Sequence, residues 1–282
     1  MFKSHQLYSN SSNITRKLLS NNNRSTTNNI LGTINNPASS ATQLQNNGIS
    51  TNGNYYILIG GSPVEMYVDF TTFSGGPYVL IMRLSSSSSY NYDNAVWTNT
   101  SGGVNTALVP GTNSDQVSSA FYNLSSTRTG LALHSNSNSY FHYIDHSNLT
   151  ARALANGSGG SLTATSPNGT TVAAGGQISD GQASRAQGWF AAVTASGGSS
   201  SNGSTYYRHG WKHRDPDPLD YGYCRFGWTA DQDSSDSQDR GIGIGLKNNG
   251  GSPVGSFSTG SGYFDYSGGN KGSMNGFLYM KN

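Results

Sequence analysis

Four aspartates and one arginine lie between Trp228 and Gly245, in the stretch WTADQDSSDSQDRGIGIG. Two carboxylates one residue apart on a tight loop can converge on a hard cation, with backbone carbonyls completing the shell. The same residues also suit a solvated turn in which Asp236 and Asp239 pair with Arg240 and no metal is held. The other chemically dense stretch is YYRHGWKHRDPDPLDY, Tyr206 to Tyr221. Aromatic faces stack on sugar C–H groups and polar neighbours bond hydroxyls, so Tyr206, His209, Trp211 and His213 are the candidate ligand contacts. Trp211 equally suits a core position with the charges as its solvated rim. SYFHYIDH, Ser139 to His146, alternates as a half-buried strand does.

Several chemistries are not encoded. HRD at His213 to Asp215 lacks the asparagine and the glycine-rich loop of a kinase, and Asp220 stands where that asparagine belongs. GIGIG, Gly241 to Gly245, lacks dinucleotide-binding spacing, and its glycines are expected to permit close strand packing. HExxH, GxSxG and a P-loop are absent from the sequence. No enzymatic activity is expected.

The elements that must position these groups are strands. NYYILI, PVEMYVDF, YVLIMRL, TGLALH, SYFHYID, GWFAAVTA, YGYCRFGW and NGFLYMK read as strands between Gly, Asn, Ser and Pro. SSAFYNL and SRAQGWF read as short helices. Charged residues make up 11% of the 282, the formal charge is +2, and 37 residues are glycine and 17 tyrosine. That balance fits an ordered, loop-heavy β-type chain and gives no reason to expect a nucleic-acid partner. Cys224 is the single cysteine, so no intramolecular disulfide forms, and a buried free thiol is expected. No apolar run approaches the roughly 20 residues of a membrane span, and no cleaved leader is expected from MFKSHQLYSNSSN.

Residues 1–36 hold Lys3, Arg16, Lys17 and Arg24 among Asn, Ser and Thr, with no acidic residue. So little apolar surface does not offset the entropy of ordering, so this arm is expected to order against a partner. Phe2, Leu7, Tyr8, Leu18 and Leu19 are its candidate apolar anchors, and Arg16, Lys17 and Arg24 its candidate contacts to acidic groups. The remainder, 37–282, divides into a sheet-forming first half, 37–134, and a loop-rich second half, 135–282.

Three stretches together resemble the fibrinogen-related domain family: TQLQNNGISTNGNYYILIGGSPVEMYVDF (Thr42 to Phe70), TTFSGGPYVLIMR (Thr71 to Arg83) and the aspartate-rich stretch itself. The resemblance implies an α+β, β-rich fold: a twisted antiparallel sheet with short helices and long ordered loops, preceded by the extended arm. It further implies a calcium loop with Asp231 and Asp233 as side-chain ligands and Ser235 and Ser237 as carbonyl ligands. Val68 stands where the family has a cysteine, and Pro77-Tyr78 replaces its Gly-Trp pair. Those departures are similar to the cysteine-poor domains of virus and bacteriophage structural proteins. The expectation is a virion structural protein of a tailed phage, at the virion surface. It would dock to other virion proteins through its arm, form a homo-oligomer, and serve as decoration or as a fibre or adhesin component binding host-surface glycan. The rival readings are a free bacterial lectin or adhesin, and an architectural subunit that binds no glycan.

Overall fold

The computed structural model describes residues 30–73, 75–111, 114–134, 139–156, 163–165, 171–173, 206–214, 222–231, 240–249, 256–265 and 270–282. Strands dominate, all their pairings are antiparallel, and the helices are short. Helix α1 is Ala41–Asn46, followed by β1 Gly53–Ile59, β2 Ser62–Asp69 and β3 Tyr78–Leu84. After a 3-10 turn at Ala95–Trp97 come β4 Gln116–Val117, α2 Ala120–Asn123, β5 Ser125–His134, β6 Ser139–Thr150 and α3 Ala151–Asn156. The later strands are β7 Thr163–Thr165, β8 Thr171–Ala173, β9 Tyr206–Arg214, β10 Gly222–Asp231, β11 Arg240–Asn249, β12 Ser256–Asp265, β13 Asn270–Ser273 and β14 Asn275–Lys281.

The first sheet runs β1-β2-β3-β14-β5-β6, with β4 beside β3. Ile59 opposes Ser62, so Gly60-Gly61 forms a two-residue hairpin loop, and their φ values of 59° and 85° are those a primed turn demands. In β2 the alternation of sequence becomes alternation of faces: Val64, Met66 and Val68 are buried. All seven residues of β3 are buried, because one of its faces lies in a core with Val68, Trp97 and Phe121, and the other meets Phe73, Leu108, Phe277 and Tyr279. The chain's last strand, β14, fits between β3 and β5. It delivers Asn282 to α1, where Thr42 N donates to the Asn282 carbonyl at 2.8 Å and Ala41 N to its Oδ1 at 2.7 Å. Ser40 caps that helix, accepting from Gln43 N at 3.0 Å. Upstream, Gly32 O accepts from Tyr56 N and Ala38 N donates to Tyr56 O, so residues 32–38 run along the edge of β1.

The second sheet runs β13-β12-β11-β10-β9. Its register places Gly210, Gly227, Gly243 and Gly262 in one row across four strands. A Cβ on Gly227 would overlap the Ile242 carbonyl, one on Gly243 the Phe226 carbonyl, and one on Gly262 the Gly272 carbonyl. Close approach of neighbouring strands therefore requires glycine there, as the GIGIG run led one to expect. The intervening Ile242, Ile244 and Leu246 are buried, and Trp211, Phe226, Ile242 and Ile244 join the same core as Val79 and Ile81 of the first sheet. Cys224 is buried, its Sγ 3.5 Å from the Ile244 carbonyl. No helix among the described residues is long and apolar enough to cross a membrane.

Candidate functional site: a polar groove

The described residues hold a groove of about 520 Å³ where two segments, 90–104 with its 3-10 turn and 115–122 with β4 and the start of α2, face one another. Its size falls within the roughly 300–1,000 Å³ usual for small-molecule sites. One wall is Tyr90, Asn94 and Asn99; the other is Asp115, Gln116 and Tyr122. Loops need partners for their backbone groups, and here two buried arginines, one from each sheet, supply them.

Arg83 on β3 is 6% exposed and holds the far wall. Its Nε donates to the Ser114 carbonyl at 2.9 Å, one terminal nitrogen to the Val109 carbonyl at 2.9 Å, and the other to Ser114 Oγ and Gln116 Oε1, each at 2.7 Å. Arg225 on β10, also 6% exposed, holds the near wall. It donates to the Tyr92 carbonyl at 2.7 Å and the Ala155 carbonyl at 2.8 Å, and its guanidinium lies 4.3 Å from the Tyr92 ring centroid. Burial pushes both guanidinium groups below their ordinary pKa. Lys247 reinforces the near wall through Asp93 at 2.6 Å, and the indole of the fully buried Trp97 donates to the Asn91 carbonyl at 2.6 Å.

Gly102 and Gly103 form the end of the groove, with φ of 138° and 85°. A Cβ on Gly103 would collide with the Ser118 backbone, against which Val104 pairs by donating to Val117 O and accepting from Ser119 N. Gly102 lies beside the Tyr122 hydroxyl, 3.6 Å from where a Cβ would stand. The Tyr122 ring packs edge-on against buried Phe121 at 5.1 Å.

The protein leaves much of the lining's hydrogen-bonding capacity unused. Asp115 Oδ1 accepts from Ser85 N at 2.8 Å and Ser85 Oγ at 3.1 Å, while its other oxygen has no partner among the described residues. Among the described residues the hydroxyls of Tyr90 and Tyr122, the Gln116 side-chain nitrogen and the Asn99 side-chain amide have none either. Burial raises the pKa of both phenols; Asp115 raises that of Tyr90 further and Tyr90 that of Tyr122, so these groups sit close enough to sense one another. Both tyrosines therefore stay protonated at neutral pH and offer a donor and an acceptor each.

The residues singled out in the sequence fall elsewhere. Tyr206–Arg214 is strand β9 and not a loop: Tyr206 opposes Asp231, His209 opposes Trp228, and His213 opposes Cys224. Trp211 is 2% exposed and packs against Phe226 with ring centroids 4.7 Å apart. A sugar-stacking platform needs an open ring face, so Trp211 is a core residue; its indole N–H has no partner among the described residues. Asp231 ends β10 and opens the connection to β11. Asp233, Ser235 and Ser237 lie outside the described residues, as do Phe2, Leu7, Tyr8, Arg16, Lys17, Leu18, Leu19 and Arg24. Among the described residues no group of three or more His, Cys, Asp or Glu is gathered to hold a metal. The groove itself was missed because SSSSSYNYDNAVW reads as an uninformative loop; the clustering of Tyr90, Tyr92 and Trp97 around Asn91 and Asn94 was the available signal.

No family model matches this chain, and no curated protein matches it in sequence. Solved structures similar to it include the fibrinogen-like globe domain of human ANGPTL6, at TM-score 0.33 and 14% identity over 54% of this chain and 62% of that one. The fibrinogen-like globe domain of human ANGPTL2 is similar at TM-score 0.31 and 15% identity, over 50% of this chain and 61% of that one. The chain thus spans less than two thirds of the length of either structure. Likeness this loose leaves the fibrinogen-like reading resting on the quoted stretches; the strand-rich antiparallel architecture is compatible with it.

Proposed function

We propose that this chain is a non-enzymatic structural protein of a virus particle, whose folded body is displayed at the surface as a binding module for host glycan. The observation that carries the binding half is the groove, whose lining gathers two phenol hydroxyls, side-chain amides and a carboxylate that keep hydrogen-bonding capacity unused among the described residues. Such a lining suits a ligand rich in hydroxyls and has no activated nucleophile for catalysis. The particle half rests on the Asn/Ser-rich, acid-free arm and on the resemblance of Thr42–Arg83 to cysteine-poor fibrinogen-like domains. Docking to other virion proteins, and a homo-oligomeric assembly, follow from that arm.

Calcium belongs to the same proposal. Asp231 and Asp233 would supply hard carboxylate oxygens, with the carbonyls of Ser235 and Ser237, in the stretch of sequence between β10 and β11. A cation there would fasten a long connection in a chain with no disulfide. The experiment for the whole reading is mass spectrometry of purified particles from cells carrying the gene. The chain should be a stoichiometric particle component; recovery only in the soluble fraction would favour a free adhesin instead.

A further inference from the structure

Resting on the reading of the groove as a binding site, we infer that it selects a neutral sugar and rejects anionic ones, with Asp115 as the residue that decides. Among the described residues that line the groove, Asp115 alone is charged. Its Oδ1 is fixed by two donors from Ser85, and its free oxygen can accept from a sugar hydroxyl in a charge-assisted hydrogen bond. Among the described residues no basic side chain lines the groove beside it. Arg83 spends Nε and both terminal nitrogens on Ser114, Val109 and Gln116 from behind the wall. Arg152 donates to the Asn99 carbonyl and does not line the groove.

An anionic ligand would therefore meet a half-buried carboxylate with, among the described residues, no guanidinium or ammonium in the lining to answer its own charge, and like charges in a partly desolvated site repel. A neutral pyranose meets complementary groups throughout. Its hydroxyls find the Asp115 oxygen, the Tyr90 and Tyr122 hydroxyls, and the amides of Gln116 and Asn99. The two phenol rings give apolar surface for its C–H groups. Because the ring of Tyr122 is backed by Phe121, it is held in place before any ligand arrives, which lowers the entropic cost of binding.

The test is saturation-transfer NMR on the full chain with methyl α-D-mannopyranoside, methyl β-D-galactopyranoside and methyl α-D-glucopyranoside as neutral probes and N-acetylneuraminic acid as the anionic one. At least one neutral glycoside should receive saturation and the acid none. Asp115→Asn keeps an oxygen for Ser85 and should weaken the neutral glycoside by about tenfold, the loss of one charge-assisted bond. Tyr90→Phe with Tyr122→Phe keeps both rings and should weaken it comparably. N-acetylneuraminic acid binding to the wild type, and lost in the tyrosine variant, would overturn the charge selection while leaving the groove a binding site. Saturation of no probe, or saturation that survives both variants, would overturn the selection and the groove reading together.

Discussion

Arg83 shows how a single residue can set a binding wall without touching ligand. Its donors reach two backbone carbonyls, a hydroxyl and an amide oxygen, all on 109–116. Replacing it with Met should remove four hydrogen bonds to partly buried acceptors and cost about 1–3 kcal/mol, read as a lower urea midpoint. Arg83→Lys should recover little, since an ammonium lacks the planar fork that spans four acceptors. His134 gives a pH dependence. It packs edge-on to Phe277 at 5.0 Å, and burial pulls its imidazole below the ordinary value of about 6.5. The folded state favours the neutral ring, so the stability His134 contributes is present above pH 6.5 and is lost as pH falls through the lower folded value. His134→Phe should flatten that acid-side decline in a melting series; an unchanged slope would mean another group titrates there.

At the scale of elements, the strands were legible because alternation and β-branched or aromatic runs carry their own signature. Seven of the eight predicted strands lie within β1, β2, β3, β5, β6, β10 and β14 or their flanks, and Gly188–Ala195 falls outside the described residues. Of the two predicted short helices, SSAFYNL contains α2, and SRAQGWF also falls outside those residues. Strands β9 and β12 were hidden by composition, whereas the glycines of GIGIG in β11 were expected to permit close strand packing. STGSG looks like loop to a propensity argument, since glycine weakens a strand in isolation. What overrides propensity is the row from Gly210 to Gly262, where backbones approach too closely for any side chain. Gly227→Ala or Gly243→Ala should therefore destabilise by more than about 3 kcal/mol, because the added methyl meets backbone and cannot be relieved by a rotamer change. Gly48→Ala is the control: its φ is 83° but nothing lies within 4 Å of the added methyl, so only the backbone strain of about 1 kcal/mol applies. Equal melting temperatures for the two kinds of variant would refute a steric role for the row.

For the molecule as a whole, the division between arm and body has a physical edge that composition did not locate. Leu31 packs against the core, and Gly32 O accepts from Tyr56 N, so residues 31–36 cover the outer edge of β1. Deleting residues 1–29 should leave the melting temperature unchanged and abolish assembly, whereas deleting 1–36 should also expose that edge and promote aggregation. The groove was illegible for a related reason. Its walls come from 90–104 and 115–122, and Arg83 of one sheet and Arg225 of the other hydrogen-bond the backbone beside or within those segments. Sequence spacing shows neither bond. Trp211 drew the eye as an aromatic among histidines, yet its place opposite Phe226 makes it core.

The most direct test of the account is a glycan microarray probed with the labelled full chain and with its Tyr90→Ala/Tyr122→Ala variant. The wild type should bind a set of neutral glycans, and the variant should lose that set while remaining folded, with a lowered melting temperature from the lost ring packing. Binding that persists in a folded double variant, or silence of the wild type across the array, would contradict a binding function for the groove.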